Sequence, residues 1–370
     1  MEFWQSTLEK LGFLKMNRDF WKNKKVFITG HTGFKGAWMS ILLQNYGAKL
    51  RGFSLRPNSK HNLFDIADVA DGMDSIIGDI RDLECLKKSI FEFNPDVVIH
   101  MAAQPLVRHS YKDPVDTYSV NVMGTVNLLE SVRFASSVKA VINVTTDKCY
   151  ENNEWIWGYR ESEPMGGHDP YSNSKGCSEL VTSAYRRSFF SRDSRVSLAS
   201  ARAGNVIGGG DWSHDRLIPD TLKAFEENLP VSIRNPLAIR PWQHVLEPIV
   251  GYLTLAENLY THGDAFAEGW NFGPKDNDVK PVREIMDYLV QHWRKHATWI
   301  VDENEQLHEA QLLKLDISKA LSRLTWEPKW NVNKALDNVI QWHEAWLDGS
   351  NMQSVTLNQI SDYEKTLNSE

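Results

Sequence analysis

Between residues 25 and about 202, short apolar runs rich in β-branched residues alternate with longer stretches of helical periodicity. The runs at 26–29, 50–55, 75–78, 97–101, 140–145 and 197–201 lack in/out alternation, the pattern of strands covered on both faces. Helical patterns fill 36–45, 83–93, 115–135 and 171–190, and Asn94-Pro95-Asp96 closes one of them before the next strand. The order predicts an α/β fold built on a doubly wound parallel sheet, with ligands at the carboxyl ends of the strands. After Gly204 the texture changes, and glycines, prolines and tryptophans punctuate shorter elements (GNVIGGGDW, IRNPLAIRPWQHV, WNFGP). This predicts an N-terminal extension over 1–20, a sheet domain over 21–203, a smaller irregular lobe over 204–349, and a polar tail over 350–370 that frays.

Composition narrows the class. A chain of 370 residues suits two domains at roughly 100–200 residues each. With 42% hydrophobic and 24% charged residues it can build an ordinary globular core. A net charge of −7 argues against nucleic acid as a partner, since phosphate backbones call for clustered Lys and Arg. Cys85, Cys149 and Cys177 show no Cys-x-x-Cys spacing and cannot all pair, which fits a reducing, cytoplasmic setting without structural metal. No apolar run reaches the roughly 18 residues that span a bilayer. The N-terminus carries Glu2 and Glu9 and has no cleavable apolar segment, so neither anchor nor signal peptide is expected. Phe3, Leu8, Leu11 and Leu14 could line a short helix, or Met16 could be an alternative start.

The first strand runs directly into Thr29-Gly30-His31-Thr32-Gly33-Phe34-Lys35-Gly36, which opens the first helix. Glycines there permit a tight turn, close approach of a pyrophosphate, and close packing of helix on sheet. Strand before and helix after make this a Rossmann-type dinucleotide cradle, although its spacing is Gly-x-x-Gly-x-x-Gly. The second strand ends Gly52-Phe53-Ser54-Leu55-Arg56, with no carboxylate for a ribose hydroxyl. Arg56 or Lys35 could meet the 2′-phosphate of NADP, or Arg56 could be a solvated loop residue, so NAD and NADP both stay open. Asp79 and Ile80 close the third strand, where an acidic side chain can accept from the adenine amino group.

Tyr171-Ser172-Asn173-Ser174-Lys175 opens a helix after the turn signal His168-Asp169-Pro170. Residues i and i+4 share a face. The Lys175 ammonium can therefore stabilise a Tyr171 phenolate and draw its pKa down from about 10, as removal of a hydroxyl proton requires. Thr146, at the end of the preceding strand in Thr145-Thr146-Asp147-Lys148, supplies the hydroxyl that such a pair works with. His100 reads as a satisfied core histidine, and Cys149 and Cys177 have no nucleophilic context. Trp155, Trp157 and Trp212 read as packing residues, though one could stack on a base.

In this order, TGHTGFKG, HMAAQ, NVMGT, TTDK, YSNSK and RAGNVIGGGDW resemble the extended short-chain dehydrogenase/reductases that act on nucleotide sugars. TGHTGFKG, TTDKCYEN, GNVIGGGDW and RPWQHVLEP are similar in particular to the subgroup of 4,6-dehydratases that take CDP-glucose, over roughly residues 17 to 349. The resemblance implies a recycled NAD and no net oxidation. Tyr171 would take the proton of the sugar's 4-hydroxyl, Thr146 would hold the 4-oxygen, and Lys175 would hold the nicotinamide ribose. Asp147 would protonate the leaving 6-hydroxyl, and the base acting on carbon 5 would be Lys148, where dTDP-glucose and GDP-mannose dehydratases carry Glu. An exposed lysine stays protonated near 10.4, so that base needs burial or neighbouring cations. Ala102, Ala103 and Gln104 would border the nicotinamide, with Gln104 also near the sugar. Asn121 would touch the cofactor or merely bend its helix. Asn205, Arg240 and, more weakly, Arg234 would grip the diphosphate, for which a planar guanidinium suits. His308 and Glu309 match a tail motif of the subgroup without an evident physical role.

The resemblance also implies a homodimer in which helices near 115–135 and 171–190 pair, and a deoxysugar destined for a surface polysaccharide such as a lipopolysaccharide O-antigen. Two other functions stay in view. A nucleotide-sugar 4-epimerase or simple oxidoreductase needs Tyr171 and Lys175 but no acid/base pair, which counts against it. A non-catalytic, nicotinamide-sensing module has no use for the full Tyr/Lys/Thr set.

Overall fold

The structure, a computed structural model, describes residues 17–190, 195–302 and 310–368. The helix-like pattern at Phe3–Leu14, Met16, and the His308-Glu309 motif lie outside these residues. Strands β1 (Lys25–Thr29), β2 (Lys49–Ser54), β3 (Asp74–Ile77), β4 (Val97–His100), β5 (Ala140–Val144) and β6 (Ser197–Arg202) form the predicted sheet. A seventh strand, β7 (Gly269–Asn271), joins it, and the spatial order is β7-β6-β5-β4-β1-β2-β3 with all neighbours parallel. The order reverses between β1 and β4, which places the ligand crevice at their carboxyl ends. β4 and β5 are buried along their whole length, as their continuous apolar runs require.

Four helices link these strands: α1 (Phe34–Asn45), α2 (Leu83–Phe93), α3 and α4 (Pro170–Ser188). α3 is not the single regular helix that the pattern over 115–135 predicts. It starts as Pro114–Tyr118, loosens into a π turn at Ser119–Met123, and resumes as Gly124–Arg133. Such turns re-aim a side chain inside a helix, here Asn121. α4 starts where Asp169 caps it, accepting from the Ser172 amide at 2.9 Å, with Pro170 in the first turn.

Beyond Gly204, the chain contributes both to the sheet and to a second core. β7 extends the sheet and α6 (Leu246–His262) packs on it. α5 (Leu217–Glu226), α7 (Val282–His292) and α8 (Val332–Leu347) build the second cluster around Leu222, Phe225, Met286, Leu289 and Leu336. Where a fraying polar tail is expected, residues 352–368 form a helix. α9 (Met352–Asn368) buries Met352, Ile360, Tyr363 and Leu367 against the back of the sheet. Those positions recur at helical spacing under a polar majority, and each buried side chain stabilises by about 1.5–3 kcal/mol. Tyr363 donates to Glu247 at 2.5 Å, and Tyr46 to Glu364 at 2.6 Å, which ties α9 to α6 and α1.

Candidate active site

The cradle is a tight turn whose glycines are sterically enforced. Gly30 has φ +78°, and a Cβ there would lie 2.7 Å from the Ala102 nitrogen. At Gly36 a Cβ would fall 2.1 Å from the Gly30 carbonyl oxygen. Gly33, the N-cap of α1, is exposed and offers no side chain to the first-turn amides. Amides of Phe34, Lys35 and Gly36 are thus placed at a positive helix terminus beside open space, which fits a dinucleotide pyrophosphate. Ala102 donates to Thr29 Oγ1 at 3.2 Å and lies against this turn, with Ala103 half-buried beyond it.

Other predicted cofactor residues are committed in different ways. Thr32 Oγ1 contacts Ser54 Oγ and the Leu55 carbonyl, both at 2.8 Å, and so fastens the turn to the end of β2. Arg56 is exposed there. Asp79 is engaged by the Arg81 guanidinium, which holds its carboxyl below the usual range, and Ile80 is buried beside it. Lys35 is half-buried. Its charge is felt together with those of Asp147, Lys175, Arg216 and Asp211, so it belongs to the reaction centre rather than to a 2′-phosphate pocket. Burial, with Arg216 and Lys175 adding to it, pushes this lysine down to about 7.

Gln104 and Asn121 are hydrogen-bonded to each other and to their surroundings. The Gln104 side-chain amide donates to Thr117 Oγ1 at 2.9 Å and the Leu106 carbonyl at 3.1 Å, and its oxygen accepts from the Leu106 amide. These bonds tie it to its own loop and to the start of α3. Asn121, in the π turn, accepts from the Gln104 amide at 2.8 Å and donates to the Gln104 carbonyl and to Ser174 Oγ. It is a clamp between that loop and α4.

The reaction centre forms where β5 ends and α4 begins. Thr146 caps a one-turn helix, Asp147–Cys149, and its hydroxyl donates to Asp147 Oδ1 at 2.9 Å. Asp147 is buried, yet its Oδ2 has no hydrogen-bond partner among the described residues. Leaving such an atom unpaired is costly, and it marks a group that a ligand completes. Gly204 makes room for it, since a Cβ there would sit 1.8 Å from Oδ2. Lys148, next along, is half-buried.

Tyr171 and Lys175 are both buried on α4, and Lys175 Nζ donates to the Val144 carbonyl at 3.3 Å. Burial outweighs the lowering of the phenol expected from Lys175. Burial pushes Tyr171 up to about 12, against the Thr146 hydroxyl and Arg216, which act in the other direction. Burial also brings Lys175 down to about 8, while Glu179 works to keep it charged. The sequence conceals these directions because burial is a tertiary property.

Among the diphosphate candidates, Asn205 adopts a left-handed conformation (φ +46°) just after Gly204. Arg240 is buried on the short strand Ile239–Pro241 and donates to the Ile239 carbonyl at 2.9 Å, and Arg234 is half-buried nearby in the chain. Sequence reasoning missed Arg216, which pairs with Asp211 at 3.5 Å and faces both Tyr171 and Lys35. Its only sequence signal was its place at the end of the GGGDW loop. His100 is a core residue, bonded to Thr29 Oγ1 at 2.7 Å and pushed down to about 3 by burial. Burial raises the Cys149 thiol far above its ordinary value, so it is no nucleophile. Trp155 stacks on Tyr159, and Trp212 packs on Trp342 and Trp346, whereas Trp157 is largely exposed.

The centre thus gathers a phenol, an ammonium, a threonine hydroxyl and a half-bare carboxyl beside a dinucleotide cradle. That set can oxidise an alcohol and assist departure of a neighbouring hydroxyl. Comparisons with known proteins agree with this chemistry. A family model described as GDP-mannose 4,6 dehydratase matches residues 27–339. The chain is 56% identical over 352 residues to CDP-glucose 4,6-dehydratase of Salmonella typhimurium, covering 94% of this chain and 98% of that protein. Its fold resembles dTDP-glucose 4,6-dehydratase from Bacillus anthracis in complex with NAD (TM-score 0.72, 22% identity, 89% of this chain and 99% of that one). It also resembles UDP-glucose-4-epimerase from Stenotrophomonas maltophila with bound NAD (TM-score 0.77, 18% identity, 88% of this chain and 100% of that one).

Proposed function

The chain belongs to the GDP-mannose 4,6 dehydratase family, and from that premise we propose that it converts CDP-glucose to CDP-4-dehydro-6-deoxyglucose with NAD as a recycled cofactor. The similarity over almost the full length to a CDP-glucose 4,6-dehydratase supports the substrate. The observation that carries the reaction type is the buried, unpartnered Asp147 Oδ2 beside Thr146 and Tyr171. A simple 4-epimerase has no step that uses it.

The first-turn amides at Phe34, Lys35 and Gly36 would hold the pyrophosphate, and Lys175 the nicotinamide ribose. A bound NAD would supply the hydride acceptor for sugar carbon 4 and, once reduced, the hydride donor for carbon 6. Tyr171 accepts the 4-hydroxyl proton while Thr146 orients the 4-oxygen. Once carbon 4 is a ketone, the carbon 5 proton is acidic. Lys148 removes it, and Asp147 protonates the 6-hydroxyl, which leaves as water. As hydride returns to carbon 6, Lys148 gives its proton back to carbon 5, and the proton taken up by Tyr171 makes good, through solvent, the one that Asp147 gave up, so only water is lost. Asn205, Arg234 and Arg240 are candidates for the diphosphate, and Arg216 joins them because it faces the centre.

Val115, Met123 and Leu180, exposed on α3 and α4, support pairing of these helices in a homodimer. A buried, reduced Cys149 suits the cytoplasm, where nucleotide sugars are made. The test is to incubate the protein with NAD and, separately, CDP-, dTDP-, UDP- and GDP-linked hexoses, reading mass and 4-keto product. Loss of one water from CDP-glucose alone is the expected result. Interconversion with a 4-epimer without water loss would remove the roles given to Asp147 and Lys148.

A further inference from the structure

Beneath the reaction centre lies a fully buried ion pair that the mechanism above does not use. Glu179, one turn after Lys175 on α4, accepts from Arg202 Nε at 2.9 Å and Nη2 at 2.8 Å. Its oxygens also accept from Ser200 Oγ at 2.6 Å and Thr145 Oγ1 at 2.5 Å. Arg202 in turn donates to Tyr150 Oη at 2.6 Å. Thr145 and Tyr150 bracket Thr146, Asp147 and Lys148 on the chain. One carboxylate therefore connects α4, β6 and both flanks of the segment that carries the acid and the base.

A buried ion pair adds little to stability by comparison with apolar packing, because desolvation offsets the Coulomb gain. Retaining one under an active site calls for another reason. We propose that Glu179, held by Arg202, is a positioning residue of the reaction centre: it fixes the strand end bearing Thr146 and Asp147, and it sets a carboxylate one helical turn from Lys175.

Four groups face Lys175. His100 at the end of β4 and Lys35 at the start of α1 both feel its charge. Cys149 faces it from the turn after β5, and Glu179 from its own helix. His100 and Cys149 are neutral by burial, Lys35 is cationic or neutral, and so Glu179 is the anion of the set. Arg202, with the Ser200 and Thr145 hydroxyls, keeps that carboxyl below its ordinary range and hence charged. Lys175 at about 8 is close enough to neutrality for one nearby anion to decide its state.

The inference rests on the dehydratase reading for its rate measurement, so a second readout is needed. Glu179→Gln alone strands Arg202 and endangers folding. The double variant Glu179→Gln/Arg202→Met removes both charges, and Glu179→Asp keeps the anion. Water loss from CDP-glucose and NAD affinity are each followed from pH 6 to 10. We expect the alkaline limb of both profiles to fall by about one pH unit in the double variant, about a fivefold loss at the old midpoint. Glu179→Asp should return the limb to near the wild-type position. A double variant that is folded and binds NAD, with rates lowered equally at every pH, would reduce the pair to a structural prop and overturn the proposal. If wild type releases no water from CDP-glucose while the NAD profile still moves, the substrate reading fails and the positioning role stands.

Discussion

Two buried glutamates, one under the reaction centre and one behind the sheet, are handled in opposite ways. Glu179 has a guanidinium and two hydroxyls and is kept below the ordinary carboxylate range. Glu247, at the start of α6, has three donors but no buried cation: the amides of Lys329 and Trp330 at 3.1 and 2.7 Å, and the Tyr363 hydroxyl. Burial wins there and pushes it up to about 7. Dipoles alone do not replace a charge in a dry site. The front of the sheet keeps an anion where one steers chemistry, and the back keeps a group that is neutral for much of the pH range where it anchors α9. Asp147 is a third case, with one oxygen bonded and the other bare.

The largest expected effect comes from that third case. Asp147→Asn should lower water loss from CDP-glucose by about 10²–10⁴-fold, the usual worth of a positioned acid. The protein should stay folded, since the bare oxygen holds nothing among the described residues. Reduced cofactor should then accumulate on mixing with substrate, read at 340 nm. A variant that dehydrates at the wild-type rate would place the acid elsewhere, with Lys35 the next group to try.

Glu247→Gln sharpens the contrast through pH. The folded pKa, about 7, lies above the unfolded value of 4.5. The stability linked to this carboxyl is thus complete below about 4.5 and is lost as pH rises through 7. Relative to Glu247→Gln, which cannot titrate, wild type should lose about 3 kcal/mol of unfolding free energy between pH 4 and pH 8. Urea unfolding of both proteins at several pH values checks this. Parallel curves would mean that Glu247 is ionised throughout, and the contrast with Glu179 would collapse.

Features carried by local spacing were legible in the sequence: six strands of the sheet, the glycine turn, and the Tyr171/Lys175 pair behind its Asp169-Pro170 cap. What stayed hidden was set by distant contacts. β7 is three residues long and finds its place only by pairing with β6. α9 reads as polar because its apolar stripe is narrow and meets α1 from across the chain. The π turn in α3 serves Asn121, whose partners Gln104 and Ser174 lie far from it in sequence. Lys35 sits inside the cradle motif, yet the motif does not say which way it points. The same holds for Tyr171, whose titration is governed by burial that no spacing encodes.

The smallest effect tests whether the rear site is an anchor and nothing more. Tyr363→Phe removes one donor from Glu247 and leaves the ring in place among Trp330 and its neighbours. A hydrogen bond of this kind contributes about 1 kcal/mol when the acceptor is neutral and about 1.5–3 when it is charged. The loss of stability should therefore be smaller at pH 5 than at pH 8, because Glu247 passes from mostly neutral to mostly ionised between them. In combination with Glu247→Gln the pH dependence of that loss should vanish, since the partner no longer titrates. Turnover should not change in either variant, for α9 packs on α1, α6 and α8 and none of the candidate site residues lies on it. A fall in kcat with unchanged stability would show that the back of the sheet reaches the reaction centre after all, through Glu247 and the helix that carries it.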